Sequence, residues 1–166
     1  MLTSAQLILL KADIAADAAF DAVPHNSDGA WAVKEVYNLP AVPNWWVWRS
    51  FVPQSEIVGS PSPDSTTWSW TAYIGRSQGE RDGWREMFAD TGGINPSLLN
   101  VRQGLADIFS GASGAAQRTH LLAIARRKST RAEKLFSAGT GSTASPAAMA
   151  FEGALSYQDV LDAWLA

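Results

Sequence analysis

The sequence is divided into short segments in which apolar residues recur at helical spacing, and capping residues mark where several of them begin. Thr3 and Gln6 have the spacing of a capping box, in which two side chains accept hydrogen bonds from each other's backbone N–H groups at a helix start. Apolar residues follow at helical spacing, so we expect a helix over about residues 4–20. Ser77 and Glu80 repeat the box and predict a second capped helix that ends before "DTGG".

Turn residues set the limits of other segments. Ser27 or Asp28 can cap a helix that Pro40 ends, and Asn95–Pro96 is a favourable start because proline suits the first helical turn. Residues 40–75 are ambiguous between extended and helical structure. We expect one helical turn at "SEIVG" and favour a helix over "TTWSWTAYIG".

The longest predicted helix runs over about residues 115–137. At 100° per residue its apolar side chains gather on one side, and four cationic or titratable residues gather on the other: His120, Arg127, Arg131 and Lys134. The predicted helix is therefore amphipathic, and we call its polar face the basic stripe.

A stretch rich in glycine and serine, residues 140–147, predicts a flexible hinge. Residues 148–155 predict a short strand, and Ser156 suits the start of a short last helix. The predicted organisation is a helical core domain, residues 1–139, and a C-terminal segment, residues 140–166, that contacts a subunit or partner. The predicted fold class is mainly α, a small helical bundle with one long amphipathic helix and a short extended element near the C-terminus.

Composition excludes several classes of protein. The chain has 166 residues and a net charge of −3, which excludes a generally cationic nucleic-acid binder, and it has no cysteine for disulfides or thiolate metal sites. Charged residues are only 17%, against about 25% in average soluble domains, and there are eight tryptophans. A tryptophan-rich core and an apolar surface covered by partner chains both account for this. We predict no membrane span and no signal peptide.

No catalytic or metal-binding constellation stands out in the sequence. His25 lies in a turn cluster and His120 on the basic stripe, and neither matches a metal-ligand motif. "GASGA" lacks the second glycine of a nucleophile elbow, and "GTGSTAS" lacks the ending of a phosphate-binding loop. We therefore predict no enzyme activity, no cofactor and no metal.

The basic stripe is open to three interpretations. It is a solvated helix face, a contact for the DNA phosphate backbone, or a docking surface for an acidic partner. No aromatic residues interleave with its cations, so we do not expect sequence-specific recognition of nucleic acid.

Five stretches carry a family resemblance: "LTSAQLILLKADIAAD", "VPNWWVWRSFV", "INPSLLNVRQGLADIFSG", "RTHLLAIARRKSTRAEKLFSAGTGSTASP" and "FEGALSYQDV". Together they resemble a family of small proteins encoded in the structural-gene clusters of tailed bacteriophages and prophages. The resemblance covers nearly the whole chain, and its most specific part begins at "TRAEKLF" and runs to "SYQDV". It brings no catalytic residues to carry over.

The resemblance implies a virion protein that is assembled in the host cytoplasm. Its size and helical character are similar to those of the adaptor in the head–tail connector, or neck, which docks under the portal ring. Such adaptors form homo-oligomeric rings, commonly dodecamers, between the portal protein and a stopper or tail-completion protein. The alternatives are a head-decoration, minor capsid or tail-completion protein, and a non-virion DNA-binding packaging accessory factor.

Two groups of residues receive roles on this basis. The four residues of the basic stripe, His120, Arg127, Arg131 and Lys134, are expected to meet packaged DNA or an acidic portal surface. Five residues of the C-terminal segment are expected to contact a neighbouring subunit or partner: Phe151, Leu155, Tyr157, Trp164 and Leu165. If the segment makes such contacts, truncation after Gly141 should abolish assembly while leaving the helical core folded.

Overall fold

The computed structural model describes residues 1–166 and is mainly α-helical, with 53% of the residues in helices and 10% in short strands. This confirms the predicted fold class at the level of a small, mainly α protein. The helices are α1 (Ser4–Ala16), α2 (Ser27–Asn38), α3 (Gln54–Gly59), α4 (Trp70–Ile74), α5 (Gln78–Ala89), α6 (Leu99–Ile108), α7 (Ala115–Ile124), α8 (Arg131–Leu135) and α9 (Tyr157–Leu165). Two short 3-10 helices cover Ala18–Phe20 and Ala112–Gly114. None of these helices combines the length and the apolar character that a membrane crossing requires.

Six short strands form three two-stranded sheets. The strands are β1 (Trp46–Trp48), β2 (Val52–Pro53), β3 (Gly93–Ile94), β4 (Arg126–Lys128), β5 (Ser137–Ala138) and β6 (Ala148–Met149). β1 pairs with β4, and the pairs β2–β3 and β5–β6 are antiparallel. Sheets this small do not form a layer of the fold, and the helices supply most of the two hydrophobic cores.

The chain forms two compact units. The first unit consists of Met1–Val47 together with Lys128–Ala166, and the second consists of Trp48–Arg127. This division differs from the predicted boundary after residue 139, because residues 140–166 belong to the same unit as the N-terminal helices. The second unit is therefore inserted into the sequence of the first.

Capping side chains fix several helix starts as the sequence predicts. In α1 the Thr3 hydroxyl accepts from Gln6 N at 3.3 Å, while Gln6 Oε1 accepts from Thr3 N at 2.9 Å. Ser77 and Glu80 form the same reciprocal box at α5. Ser156 caps α9 as expected. Each box satisfies backbone N–H groups that the helix itself leaves without acceptors.

Two predicted helix starts were wrong in detail. α2 is capped by Asn26, whose side chain accepts from Gly29 N at 3.0 Å, rather than by Ser27 or Asp28. Asn95 does not cap α6, because its side chain instead accepts from Ser97 N and forms a local turn.

The single long helix predicted over residues 115–137 is also wrong. α7 ends at Ile124, the chain runs extended through β4, and α8 starts anew at Arg131. Thr130 and Glu133 form a capping box at this point, with Glu133 N donating to Thr130 Oγ1 at 3.2 Å and Thr130 N donating to Glu133 Oε2 at 3.0 Å. Thr130 at the cap has extended backbone angles, so a continuous helix cannot pass through it.

The first unit is built around α9, which packs against α1 and α2. Asp159 is buried at its start and accepts from Leu2 N at 3.3 Å. Burial alone would raise the pKa of the Asp159 carboxyl, but hydrogen bonds donated by Ser156 and Leu2 hold it below its usual value. The Asn38 side chain exchanges two hydrogen bonds with the Leu155 backbone, at 2.8 and 3.0 Å. Both ends of the chain are thus fixed in one core.

This packing changes the role expected for the C-terminal segment. Leu155, Val160 and Ala163 are 2%, 0% and 0% exposed and belong to the core of the first unit, together with Leu10 and Tyr37. Leu155 is therefore not available to a partner. The predicted strand over residues 148–155 is limited to β6, and the chain then turns through Gly153 into α9.

The second unit has a core centred on aromatic rings. The Trp68 and Trp84 ring centroids lie 4.8 Å apart, and Phe109 meets Trp84 edge-on at 5.6 Å. Trp84 and Phe88 are the buried side chains of α5. Offset and edge-on aromatic pairs add about 0.5–1.5 kcal/mol beyond burial of their area. Trp70 is 56% exposed, so the tryptophans serve both the core and the surface.

The stretch around Gly141 holds the segment before β1 in the first unit. Trp46 N donates to Gly141 O at 2.8 Å, and the Trp45 indole Nε1 donates to Ser137 Oγ at 2.9 Å. Gly141 has a φ of 60°, and a Cβ placed there would lie 2.1 Å from the Trp45 ring. Only glycine fits this position, on grounds of both backbone conformation and space.

We expect Gly141→Ala to destabilise the protein by about 3 kcal/mol, from a left-handed backbone cost of about 1–2 kcal/mol plus displacement of the indole. Gly92→Ala is the matched control, because Gly92 has a φ of 66° and open space around its Cα. It should cost only about 1–2 kcal/mol. Equal costs for the two variants in urea unfolding would contradict the tight contact with Trp45.

We expect a chain truncated after Gly141 to lose the fold of the first unit, because the removed segment supplies the buried side chains Leu155, Val160 and Ala163 and the contact of Asp159 with Leu2. Limited proteolysis should cut within residues 1–47 of the truncated chain and spare them in the full chain. Equal protection of those residues in both chains would show that the C-terminal segment is a dispensable tail.

Candidate functional site

The residues of the basic stripe do not share a helix face. His120 lies in α7, Arg127 in β4, and Arg131 and Lys134 in α8. His120 and Arg127 belong to the second unit, whereas Arg131 and Lys134 belong to the first. The basic stripe was predicted on the assumption of one continuous helix, and the capping box at Thr130 interrupts that helix.

His120 is fully buried in the second unit. Its Nε2 lies 2.8 Å from the Ile57 carbonyl, which can only accept, so Nε2 carries a proton. Its Nδ1 lies 3.2 Å from the Thr66 hydroxyl. The imidazole is therefore a core hydrogen-bonding group. The prediction that His120 faces DNA or a partner was wrong.

Arg131 is the centre of a charged cluster in the first unit. Its guanidinium donates to Asp13 at 2.9 Å and to Asp17 at 2.6 Å. It also lies 4.4 Å from the ring centroid of Tyr37, a distance typical of cation–π contact. The Tyr37 hydroxyl donates to Asp13 as well. These contacts join α8 to α1 and α2.

The electrostatics of this cluster point to a structural role. The hydrogen bond from Arg131, followed by one from Ala19 N, holds the pKa of the Asp17 carboxyl below its usual value. Burial first, and then the hydrogen bond to Asp13, raises the pKa of Tyr37, so the phenol stays protonated at neutral pH. Two carboxylates outweigh the single guanidinium, which makes Arg131 a poor ligand for a phosphate group.

Lys134 and Arg131 border a groove of about 630 Å³ in the first unit. The lining residues are Asp13, Val36, Leu39, Pro40, Ala41, Val42, Arg131, Lys134 and Leu135. Leu39 and Val42 are 58% and 89% exposed, so the groove is apolar as well as charged. The Lys134 ammonium lies 5.4 Å from the Trp45 ring centroid.

The predicted contact residues of the C-terminal segment are partly used inside the first unit. Phe151 packs edge-on against Phe136, with ring centroids 5.5 Å apart, and Trp164 stacks on His25 at 4.5 Å. Tyr157 is 43% exposed and Leu165 is 86% exposed. Of the five residues, these two present the most surface to another molecule.

Helix α1 is apolar on two opposite faces. Leu10 and Ile14 face the core. The exposed residues Ala5, Ile8, Leu9, Ala12, Ala15 and Ala16 form a second stripe about 120° wide at 100° per residue. Ile8 and Leu9 are 58% and 51% exposed. A helix with apolar residues on both faces is typical of one that is covered on both sides.

A shallow groove joins this helix to the end of α9. We call it the α1/α9 surface, and its residues are Ser4, Leu7, Ile8, Asp162, Leu165 and Ala166. Leu165 projects from the last turn of α9, and Asp162 lies one turn before it. The Asp162 carboxylate accepts from Gln158 Nε2 at 2.7 Å and has no cationic partner within 4 Å.

The second unit contains an apolar pocket of about 150 Å³, which we call the arginine pocket. Its lining is Trp48, Pro96, Arg102, Leu105, Ala106, Arg118, Leu121, Leu122 and Ala125. The Arg102 guanidinium lies 4.5 Å from the Trp48 ring centroid and donates to Pro96 O at 2.6 Å. Burial lowers the pKa of Arg102. Arg118 donates to Gly111 O at 2.9 Å. Neither guanidinium has a carboxylate partner within 4 Å.

Sequence reasoning missed the arginine pocket and the outer face of α1, although both leave a signal. Arg102 is followed by apolar residues at the third and fourth positions after it, and so is Arg118. This spacing places an arginine and apolar side chains on one face of each of two consecutive helices. The run Leu7–Leu10 is four consecutive apolar residues, and these cannot all face one side of a helix.

The structure contains no group of three or more His, Asp or Glu side chains that could hold a metal ion. Comparisons of the chain with protein-family models, curated proteins and solved structures find no match. Four surface features are candidates for a functional role: the α1 outer face, the α1/α9 surface, the groove beside Lys134 and the arginine pocket.

We expect Arg131→Gln to lower the free energy of unfolding at pH 7, because it leaves two partly exposed carboxylates without their guanidinium. Since the pKa of Asp17 is lowered in the folded state, its stabilisation is present above pH about 4 and is lost on further acidification. The difference from wild type should therefore shrink at pH 3. Urea unfolding at the two pH values measures it.

Arg85→Gln is the matched control, because Arg85 pairs with Asp82 at 2.8 Å while both side chains are more than half exposed. It should change stability by less than about 0.5 kcal/mol at pH 7. An Arg131→Gln cost as small as this, or one independent of pH, would contradict the structural role of the cluster.

Proposed function

We propose that this chain is a non-enzymatic structural protein of a tailed-bacteriophage particle and serves as its head–tail adaptor. In this role, copies of the chain form a ring around the DNA channel and join the portal protein to the stopper or tail. The observation that carries the proposal is the second apolar face of α1, since it calls for a covering chain. The resemblance of five sequence stretches to phage structural proteins supplies the setting.

The apolar outer face of α1 supports assembly through a simple energetic argument. Burying apolar surface contributes roughly 25 cal/mol per Å², and exposed apolar patches on soluble proteins commonly mark interfaces. Ile8 and Leu9 project there among alanines, whose small side chains let another element approach closely. The groove beside Lys134 adds Leu39 and Val42 as further exposed apolar groups.

The most specific stretch of the resemblance has structural roles in the first unit. Thr130 and Glu133 start α8, and Gly141 contacts Trp45. Ser156 and Asp159 start α9. These residues fix a fold and line no reactive centre. Their roles support a non-enzymatic virion protein, whose function depends on its folded shape rather than on a catalytic group.

The arrangement of the cations favours an adaptor over a DNA-binding packaging factor. A packaging factor of that kind depends on a basic face that meets phosphates, whereas Arg131 is held by two aspartates and His120 is buried. An adaptor ring encloses DNA and does not need such a face. Contact between the ring and packaged DNA is then non-specific.

Native mass spectrometry of the protein, alone and mixed with the portal protein of its own phage, tests the proposal. We expect a discrete multimer on the portal ring, with one copy of this chain per portal subunit. Quantitative mass spectrometry of purified particles should find the same single ring of copies. This stoichiometry distinguishes the adaptor from a decoration protein.

Three results would contradict the adaptor. They are failure of the chain to bind the portal, its absence from purified particles, and a copy number that matches the capsid lattice. Absence from particles together with salt-sensitive DNA binding would favour the packaging factor. A copy number equal to the number of equivalent sites on the capsid lattice would favour a head-decoration protein.

A further inference from the structure

The arginine pocket has the size and charge to receive an apolar side chain that lies beside a carboxylate. A cavity of about 150 Å³ holds a benzene-sized group, so it accommodates a leucine side chain. A guanidinium has five N–H donors. Arg102 and Arg118 each donate two hydrogen bonds to backbone carbonyls through Nη1, which leaves donors for a carboxylate.

The α1/α9 surface presents a group of this chemistry. The Leu165 side chain is 86% exposed on the last turn of α9. Asp162, one turn earlier on the same side, has no cation paired with its carboxylate. The chain therefore carries both an arginine-lined apolar pocket and an acidic apolar projection.

We propose that Leu165 of one copy of this chain enters the arginine pocket of a second copy, with Asp162 paired to the guanidiniums of Arg102 and Arg118. Ile8, which shares the α1/α9 surface with Leu165, is covered in the same contact. The occupant is a second copy of this chain, because the size and charge of Leu165 with Asp162 match those of the arginine pocket. A desolvated pair between carboxylate and guanidinium also fixes the orientation of the contact.

Other exposed apolar side chains fit the pocket less well. Val42 is 89% exposed, but the carboxylate that lines its groove, Asp13, is already paired with Arg131. Leu99 is 60% exposed and lies on α6, the helix that itself forms one wall of the pocket. Leu165 with Asp162 combines exposure with an uncommitted carboxylate.

This contact joins two different surfaces and is therefore head-to-tail. The projection belongs to the first unit and the pocket to the second, so each copy offers one of each. Repeated head-to-tail contacts close into a ring or extend as a filament. The inference deepens the proposed function, and its ring geometry rests on that proposal. The contact itself is testable without the phage particle.

Two variants with complementary defects test the contact. Variant one, Leu165→Ala with Asp162→Arg, removes the projection and keeps the pocket. Variant two, Ala106→Trp, fills the pocket and keeps the projection. We expect the wild-type chain to form multimers in sedimentation velocity and each variant to weaken self-association by about tenfold to a hundredfold or more, the range for losing one buried leucine.

Mixing the two variants should restore a single contact. The intact projection of variant two enters the intact pocket of variant one, so the mixture should give a one-to-one dimer and nothing larger. Ile74→Ala is the control, because it removes an aliphatic side chain that is 67% exposed and lines neither surface, so it should leave assembly unchanged. A third variant, Arg118→Glu, tests charge, and Asp162→Arg in the same chain should restore part of the lost assembly.

Several outcomes would overturn the inference. They are a wild-type chain that stays monomeric at every concentration, variants that assemble normally, and a mixture that forms no dimer. Circular dichroism confirms that each monomeric variant is folded before it is scored. If assembly uses another surface, the inference fails while portal binding still supports the adaptor. If the head-to-tail contact forms but the chain is absent from particles, the inference stands and the adaptor fails.

Discussion

The fold depends on the meeting of the two ends of the sequence around α9. Leu2 N reaches the buried carboxylate of Asp159, and Asn38 fixes the backbone of Leu155 from the other side. Because these contacts close the first unit, the second unit can fold as an insertion with its own aromatic core. The C-terminal helix therefore belongs to the body of the protein, and the Arg131 cluster joins α8 to the same core.

Closing the first unit in this way uses only one face of α1. Leu10 and Ile14 are buried, while the alanine-rich face with Ile8 and Leu9 remains outside. This surplus of apolar surface agrees with the low fraction of charged residues in the chain. An isolated monomer gains nothing from such a face, whereas a subunit of an assembly gains hydrophobic burial. The outer face of α1 therefore supports the proposal that this chain is a subunit of an assembly.

The sequence predicts the helices whose first turns carry capping side chains. It does not predict contacts between residues that are far apart in the sequence. The sequence predicts the capping boxes at Thr3 and Ser77 and a helix start at Ser156, but the box at Thr130 is hidden by an apolar periodicity that continues past it. His120 was misplaced for the same reason. The pairing of Arg131 with Asp13 joins residues more than a hundred positions apart, and no local pattern specifies it. The arginine pocket likewise needs two helices and Trp48 together.

Cysteine labelling shows whether another chain covers α1, because the native chain has no cysteine. Ala12→Cys places a thiol on the outer face of α1, and Ser55→Cys places one on an exposed position of the second unit. We predict that a maleimide labels both thiols in the dilute monomer, and that only the Ser55→Cys thiol stays reactive in the assembled protein. Equal labelling at position 12 in monomer and assembly would show that no chain covers α1.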